Sequence, residues 1–245
     1  MQSNPIIVTQ FPGGILQPIT IWPPVSILQP FPAILANTNF TRANLAGARF
    51  DSTVLTSTNF TDADLRGANG FAPLPSTITT NTILPDGSIH GLALSSGETL
   101  TIRNNTIPIS ISTTATLDPQ STLQLLLSTN WTSTIGFAPG LTPSLDGTLD
   151  LEIAAGINPA TLIGHTFQLF TWNAALDPAN TFTSIATNPT LAWDLSSLYT
   201  TGQITLTSVQ SAAGASPTPE PTTLALLLAA TPLLLKRRSR APGKN

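Results

Sequence analysis

An apolar side chain recurs at every fifth residue in the stretch between residues 33 and 68. Neither the 3.6-residue period of a helix nor the two-residue period of a strand gives this spacing. A small residue, alanine or threonine, stands two positions before each apolar one. The apolar positions, which we call the centres, are Leu35, Phe40, Leu45, Phe50, Leu55, Phe60 and Leu65. The pattern predicts a four-sided coil, in which each side is five residues long and the chain turns a corner after each side.

A four-sided coil of five-residue sides requires a 20-residue repeat, and the sequence contains one. The tetrapeptide Thr-Asn-Phe-Thr at 38–41 recurs at 58–61, and Leu35 recurs as Leu55. Each residue is therefore expected to stack on its counterpart one coil along. Phenylalanine and leucine would lie inside, with asparagine, aspartate and arginine outside.

This repeat resembles the pentapeptide-repeat family, which implies a right-handed quadrilateral β-helix over residues 33–71. The pattern breaks at Gly70, where a centre is due, and Phe71 comes one position late. Because two coils bury little surface, the segment is expected to dock on the chain that flanks it. Some members of the family mimic duplex DNA with an acidic surface. Outward Arg42, Arg49 and Arg66 argue against that function here, and no nucleic-acid partner is predicted.

Residues 77–210 read as short strands separated by turns. Apolar and polar residues alternate, as in Leu149, Leu151 and Ile153 between Thr148, Asp150 and Glu152. The predicted strands are Thr99–Arg103, Ile107–Ile111, Thr148–Ile153, Phe167–Trp172 and Gln203–Val209. Pro108 indicates an edge or a bulge, and Pro159–Ile163 one helical turn. The predicted class is all-β: the quadrilateral β-helix, then a β-solenoid or β-sandwich-like region, then a C-terminal apolar helix.

Three stretches of this region, 145–172, 191–199 and 200–209, resemble the β-rich end region of exported proteins that is similar to autotransporter stems. The resemblance implies architecture and export, and it carries no catalytic residues.

The C-terminal end combines a linker, a short apolar run and a basic cluster. Residues 211–218 form an Ala/Ser/Pro linker, and the apolar run 224–235 would span only ~18 Å as a helix against a hydrocarbon core of ~30 Å. Its leucines are Leu224, Leu226, Leu227, Leu228, Leu233, Leu234 and Leu235. The basic anchor that follows is Lys236, Arg237, Arg238 and Arg240. The positive-inside bias places this anchor in the cytoplasm and the body across the membrane.

The C-terminal residues 219–245 resemble the PEP-CTERM sorting signal. They contain, in order, Pro219-Glu220-Pro221, an apolar segment and an arginine-rich end. The resemblance implies export by a Gram-negative bacterium and cleavage near Pro219 by a membrane-embedded, exosortase-type enzyme. The protein would then be a precursor held transiently in the inner membrane, and later a cell-envelope or extracellular protein. The apolar run is shorter than is usual for such signals and lacks their glycines.

Residues 1–32 contain prolines in every apolar run and no basic start, so they fit neither a signal peptide nor a spanning helix. We read them as an extended segment that leads into a β fold. Since export requires a signal, we expect the natural protein to start upstream of Met1.

The charge distribution separates the tail from the body. Charged residues make up 9% of the chain, and five of the nine basic residues lie in the last ten positions. Residues 1–216 carry 4 basic and 11 acidic residues, a net charge of −7. The chain has no cysteine, which excludes disulfides and thiolate metal sites.

Residues that could support catalysis or ligand binding are few, and neither a catalytic residue nor a cofactor or metal is predicted. His90 and His165 lack the nucleophile pattern of a hydrolase, and both read as turn or surface histidines. Asp150 and Glu152 share one face of a strand, which favours a solvated surface over a calcium site or a catalytic pair. Trp172, Trp193 and Tyr199 are the remaining large aromatic candidates, and the two tryptophans read as core. Trp131, between Asn130 and Thr132, is the best placed to stack on a sugar.

These observations favour a non-enzymatic, exported structural or adhesion protein of the envelope or extracellular matrix. The alternative is a secreted carbohydrate-binding module. It would bind through Trp131, and its partner would be a matrix polysaccharide. A hydrolase that acts through Asp150 and Glu152 is a third, weaker hypothesis.

Overall fold

The structure, a computed structural model, describes residues 33–173, Leu176 and residues 180–210. In this part of the chain the fold is nearly all β, with one 3-10 helix at Pro159–Leu162. The all-β prediction and the single helical turn near residue 160 are therefore confirmed. We distinguish a four-sided stack (residues 33–85), a solenoid of parallel strands (88–153, 170–171 and 184–187) and a small antiparallel cap (166–168, 191–194 and 203–209).

Backbone bridges between successive coils define the four-sided stack. Residues 20 apart pair in parallel: Ile34 with Val54, Asn39 with Asn59, Asn44 with Asp64, and Arg49 with Asn69. These pairs confirm the four-sided coil and its 20-residue repeat. A third, partial coil adds Ile78 and Ile83, which pair with Asn59 and Asp64 at an offset of 19 residues.

Gly70 explains why the centre that is due at this position is shifted to Phe71. Its backbone has a φ of +69°, and a Cβ atom built there would lie 2.6 Å from the backbone nitrogen of Asp51. A larger residue would not fit, so no centre can occupy this position. Phe71 takes over, with its ring edge-on to Phe50 and Phe60 at centroid distances of 5.6 and 5.3 Å.

The predicted centres form the core of the stack. Phe50, Leu55, Phe60 and Leu65 are buried, whereas Leu35, Phe40 and Leu45 of the first coil are partly buried and pack against them. Threonines at the small-residue positions tie neighbouring coils together. Thr58, Thr77 and Thr82 donate their hydroxyl groups to the backbone carbonyls of Leu35, Leu55 and Phe60 at 2.8, 2.9 and 2.7 Å.

The solenoid consists of two parallel sheets that share one hydrophobic core. Its strands are β1 (Ser88–Leu94), β2 (Thr99–Arg103), β3 (Ile109–Leu117), β4 (Thr122–Leu127), β5 (Ile135–Phe137), β6 (Ser144–Leu145), β7 (Thr148–Ile153), β9 (Phe170–Thr171) and β10 (Ser184–Thr187). One sheet has the order β1-β3-β5-β9, with β6 also paired to β3, and the other has the order β10-β7-β4-β2. Every pair within these two sheets is parallel. This arrangement is that of a solenoid rather than a sandwich of antiparallel sheets.

Alternation along the strands places one apolar row after another inside the solenoid. Leu100, Leu123 and Leu149 are partners in register across three strands, and all are buried. The predicted strands Thr99–Arg103, Thr148–Ile153 and Gln203–Val209 have the observed bounds. The strand predicted from Ile107 begins only at Ile109, directly after Pro108.

An antiparallel sheet forms the cap. It has the order β11 (Leu191–Asp194), β12 (Gln203–Val209), β8 (Thr166–Gln168). Just before β12, the carbonyl of Gly202 accepts hydrogen bonds from the amides of Leu169 and Phe170 at 2.8 and 3.1 Å. The Gly202 backbone therefore covers the outer edge of β9, the last strand of its sheet.

We expect Gly202→Ala to destabilise the protein more than Gly140→Ala does. Both glycines have a positive φ, +75° and +81°, so alanine costs about 1–2 kcal/mol at either position for its backbone conformation alone. At Gly202 a Cβ would also lie 2.0 Å from the carbonyl oxygen of Phe170, whereas at Gly140 it would meet no atom within 4 Å. Equilibrium urea unfolding of both variants measures the difference, and equal destabilisation would refute this account of the cap.

A buried arginine joins the stack to the solenoid. Arg66 is predicted to face out of the coil, and it does, but Arg66 and Asp64 are only 1% and 2% exposed. The solenoid covers their side chains. The guanidinium binds the Asp64 carboxylate through Nε and Nη2 at 2.9 and 2.6 Å. Its remaining donors reach Ile107 O, Ser133 Oγ and Arg103 O at 3.2, 2.8 and 2.8 Å.

This contact also confirms that the stack docks on the region that follows it. All five N–H groups of the guanidinium have an acceptor, which is the condition for burying this charge without a large penalty. Ile83, at an outward position of the third coil, is likewise fully buried and belongs to the solenoid core.

None of the helices in the described part of the chain is both long and apolar enough to cross a membrane. The predicted C-terminal apolar helix lies outside the described residues, as do the extended segment 1–32 and the linker 211–218.

Candidate interaction surface

The outer face of the sheet β10-β7-β4-β2 is mostly polar. Its first row is a hydroxyl row, with Thr99, Thr122, Thr148 and Ser184 in register. The next row is a hydrogen-bonded ladder. Thr101 Oγ1 donates to Gln124 Oε1 at 2.9 Å, and Gln124 Nε2 donates to Asp150 Oδ2 at 3.0 Å. The ladder fixes these side chains relative to one another, as an ordered row of hydroxyl, amide and carboxylate groups.

Asp150 and Glu152 lie together on this face, as the alternation of β7 predicts. Glu152 is exposed, and its register partner on β4 is Leu126. Asp150 is half-buried, with its carboxylate oriented by Gln124. Acid–base chemistry on a sugar needs two carboxyl groups that flank one bond in a site that holds the substrate. Asp150 and Glu152 lie on the outer face of a sheet, which is open to solvent, so this geometry favours a binding surface over a hydrolase.

In the described part of the chain, metal-ligating side chains do not gather around this face. His90 is exposed on β1 and His165 is exposed just before β8. Within the described residues, no group of three or more His, Cys, Asp or Glu side chains could hold a metal ion.

The aromatic candidates are mostly engaged in packing. Trp172 stacks on Phe137 and Phe170 at centroid distances of 5.3 and 4.6 Å, and Trp193 packs edge-on to Phe167. Both tryptophans contact the solenoid core, as predicted. The Tyr199 hydroxyl accepts the amide N–H of Phe182 at 3.1 Å.

Trp131 was the candidate for sugar stacking. It is half-buried against the solenoid core. Its indole Nε1 donates to the carbonyl of Gln168 at 3.1 Å. That bond orients the ring along the protein surface and uses the one polar group that the side chain could offer a sugar.

A small cavity lies beside the stacked aromatic rings. Its volume is about 100 Å³, below the ~300 Å³ at which ligand pockets begin. Its lining is Phe137, Gly140, Leu141, Thr142, Pro143, Trp172, Asn173 and Leu176. It can hold a few water molecules but not a sugar ring enclosed on all sides.

The comparisons with known proteins concern the four-sided stack. Residues 33–69 match the model of the family described as pentapeptide repeats, in eight copies. Residues 33–69 are pentapeptide repeats. No curated protein and no solved structure matches the chain.

The pentapeptide repeats contain all seven predicted centres, and the structure extends their geometry beyond the match. Ile78 and Ile83 continue the bridges of the repeats after residue 69. The five-residue period does not reveal this third coil. Its centre positions are Thr79 and Leu84, which take the places of Phe60 and Leu65. They are out of step with the earlier centres, because the chain between Phe71 and Thr79 is shorter than two full sides of five residues. Backbone pairing with Asn59 and Asp64 identifies it instead.

The remaining predicted sites lie outside the described residues. They are the sorting signal Pro219, Glu220 and Pro221, the apolar run 224–235, and the basic anchor that begins at Lys236.

Proposed function

We propose that this protein is an exported, non-enzymatic structural or adhesion component of the cell envelope or extracellular matrix. Its C-terminal PEP-CTERM-like signal would be recognised by an exosortase-type enzyme, which would cut near Pro219 and release the body from the inner membrane. The autotransporter-like resemblance of the region before the linker fits the same destination.

The observation that carries this proposal is the combination of a stacked β body, which has a net negative charge, with a basic C-terminal tail. Parallel strands and pentapeptide repeats form a stacked structure that is stabilised by backbone ladders and apolar rows. Its surface is polar but weakly charged, and the sheet with the Thr101–Gln124–Asp150 ladder presents it in ordered rows. Such a surface suits contact with other matrix components over a wide area.

Charge argues against nucleic acid as a partner. Between residues 104 and 210 the chain has six acidic residues and no lysine or arginine. A nucleic-acid site needs a basic patch to displace counterions from the phosphates. The alternative function, a carbohydrate-binding module, would depend on the exposed part of Trp131, and neutral matrix polysaccharide is the partner that this charge balance permits.

Processing of the tail gives the direct test. The full chain, carrying an added N-terminal secretion signal, would be expressed in a Gram-negative host with an exosortase. We expect the intact mass of the released protein to correspond to a C-terminus near Pro219, and the released protein to be recovered in the matrix fraction. A triple variant, P219A/E220A/P221A, should remain uncut in the inner membrane.

A host without the exosortase serves as the control, and it should accumulate the uncut membrane form of the unchanged chain. A full-length protein retained in the membrane of the exosortase-bearing host would contradict the proposal and indicate a simple tail-anchored protein. Release at a site unaffected by the triple variant would also contradict it.

A further inference from the structure

A polar ladder runs along one corner of the stack and ends on the solenoid. Arg42, Asp62 and Asn81 follow one another in successive coils, each with a positive φ (61°, 58° and 52°). Arg42 N donates to Thr61 O, and Asp62 N donates to Thr80 O, at 2.8 and 3.0 Å. Their side chains therefore lie one above the other along the axis of the stack.

Asn81 connects this corner to the first strand of the solenoid. Its Oδ1 accepts the amide N–H of Ala93 at 2.8 Å, and its Nδ2 donates to the Ala93 carbonyl at 3.0 Å. The side-chain amide thus takes the place of a partner strand at the outer edge of β1. The other Nδ2 hydrogen is directed to Asp62 Oδ1 at 3.0 Å. Asp62 and Ala93 are consequently held by the same amide group.

Asp62 carries a charge in a place that favours a neutral group. Its side chain is 2% exposed. The guanidinium of Arg42, which is itself 53% exposed, lies 3.6 Å away, beyond hydrogen-bond distance. Glu98, in the turn between β1 and β2, adds a second negative charge nearby. Arg42 and Glu98 are the charged groups that act on Asp62 from the elements packed around it, while Asn81 is uncharged.

The balance of these effects raises the pKa of Asp62 above its ordinary value of 3.8. Burial is the largest cause, the charge of Glu98 adds to it, and the Asn81 hydrogen bond and Arg42 oppose it. A group whose pKa is higher in the closed junction than in an open, hydrated one binds its proton more tightly when the junction is closed. Closure is then favoured as the pH falls from neutrality through the raised pKa, and the gain is complete near 3.8.

We propose that Asp62 is a proton-linked latch between the stack and the solenoid, which closes the Asn81–Ala93 contact more firmly in mildly acidic surroundings. At neutral pH the buried carboxylate favours transient opening of the junction, because opening hydrates it. When Asp62 takes up a proton, opening no longer gains the hydration free energy of a charged group. The hydrogen bond from Asn81 stays in place, since a protonated carboxyl retains an acceptor oxygen.

Two other carboxyl groups, those of Asp86 and Asp194, change stability in a different pH range. The pKa of Asp86 is lowered, first by the hydrogen bond from the Ser88 hydroxyl, and that of Asp194 is lowered, first by the backbone amide of Ser196. Their contributions are complete above 3.8 and are lost only as the pH falls through their lowered pKa values. Measurements between pH 7 and pH 4 therefore isolate Asp62 from both.

Hydrogen exchange at the Ala93 amide tests the latch, because this N–H is released only when the junction opens. After correction for intrinsic exchange, we expect the protection of Ala93 in the full chain to increase severalfold from pH 7 to pH 4. In Asp62→Asn, which tolerates the positive φ and cannot titrate, protection should be independent of pH.

Two further variants have opposite expected effects. Glu98→Gln removes the repulsion and should shrink the pH dependence, whereas Arg42→Gln removes an attraction and should enlarge it. A flat profile in the unchanged protein, an unaltered slope in Asp62→Asn, or equal responses in Glu98→Gln and Arg42→Gln would overturn the proposal. The last pair keeps the test decisive if Asp62→Asn does not fold.

Discussion

Replacing Arg66 with alanine is expected to lower the free energy of unfolding by about 3–5 kcal/mol, the range for breaking a buried ion pair by removing one partner. The change leaves the Asp64 carboxylate buried without its cation, since Asp64 is only 2% exposed. It also removes the side-chain donor to the Ile107 carbonyl and one of the two donors to the Arg103 carbonyl, the other being the Ser133 hydroxyl. Arg66→Lys should recover only part of the loss, because a single ammonium group has three donors in place of five.

Arg49 provides the matched control, as an exposed arginine of the same repeats. Arg49→Ala should change stability by no more than about 0.5 kcal/mol. The described tryptophans, Trp131, Trp172 and Trp193, all lie outside the stack, so their fluorescence reports on the solenoid and cap. Urea unfolding followed by fluorescence and by circular dichroism should give coincident transitions in the unchanged protein. They should separate in Arg66→Ala, as the stack undocks first.

A loss below about 1 kcal/mol in Arg66→Ala would contradict the assignment of Arg66 as the joint between the two parts, since that is the size of an exposed ion pair. So would coincident transitions in that variant. The double variant Asp64→Asn/Arg66→Met tests whether the loss in Arg66→Ala comes from the unpaired, buried charge of Asp64. It removes both ions and should be more stable than Arg66→Ala.

The failure to predict the burial of Arg66 has a definite physical origin. Period and residue type determine which side chains enter the coil, and Phe60 and Leu65 were placed correctly because an inward position is apolar wherever the coil sits. An outward position has no such constraint. Asp64 and Arg66 look like solvated residues in the repeats, and Ile83 looks like an exposed one, yet all three are buried by a region more distant in the sequence.

The solenoid shows the same limit in another form. Alternation fixed the bounds of β2, β7 and β12, because a strand with one buried face repeats every two residues. It could not fix the partners. Paired residues lie 23 apart between β2 and β4, 26 apart between β4 and β7, and 36 apart between β7 and β10. A solenoid with coils of unequal length leaves no period in the sequence to detect.

The candidate surface was predictable in its residues and not in its connections. Asp150 and Glu152 were placed on one face from alternation alone. The ladder through Gln124 and Thr101 depends on a register that only the structure gives. Trp131 shows the same limit. Polar neighbours at 130 and 132 suggest exposure, but they give no sign that the half-buried ring binds Gln168, 37 residues away, through its N–H.

Phe60→Ala is expected to cost about 3–5 kcal/mol of stability, the range for a buried phenylalanine. Phe60 is fully buried at the centre of the stack. Its ring stacks on Phe40 of the coil before at a centroid distance of 5.3 Å and meets the edges of Phe50 and Phe71 at 5.8 and 5.3 Å. Truncation opens a cavity that the backbone ladders on either side prevent from collapsing.

Phe40 tests whether position or residue type sets this cost. It occupies the same place in the previous coil and is only partly buried. Phe40→Ala therefore removes less buried surface and should cost about half as much or less. Phe60→Leu, which keeps most of the volume, should cost less than about 1.5 kcal/mol. Urea unfolding followed by circular dichroism measures all three variants. Equal losses in Phe40→Ala and Phe60→Ala would mean that the first coil is covered as completely as the second, contrary to this account of the core.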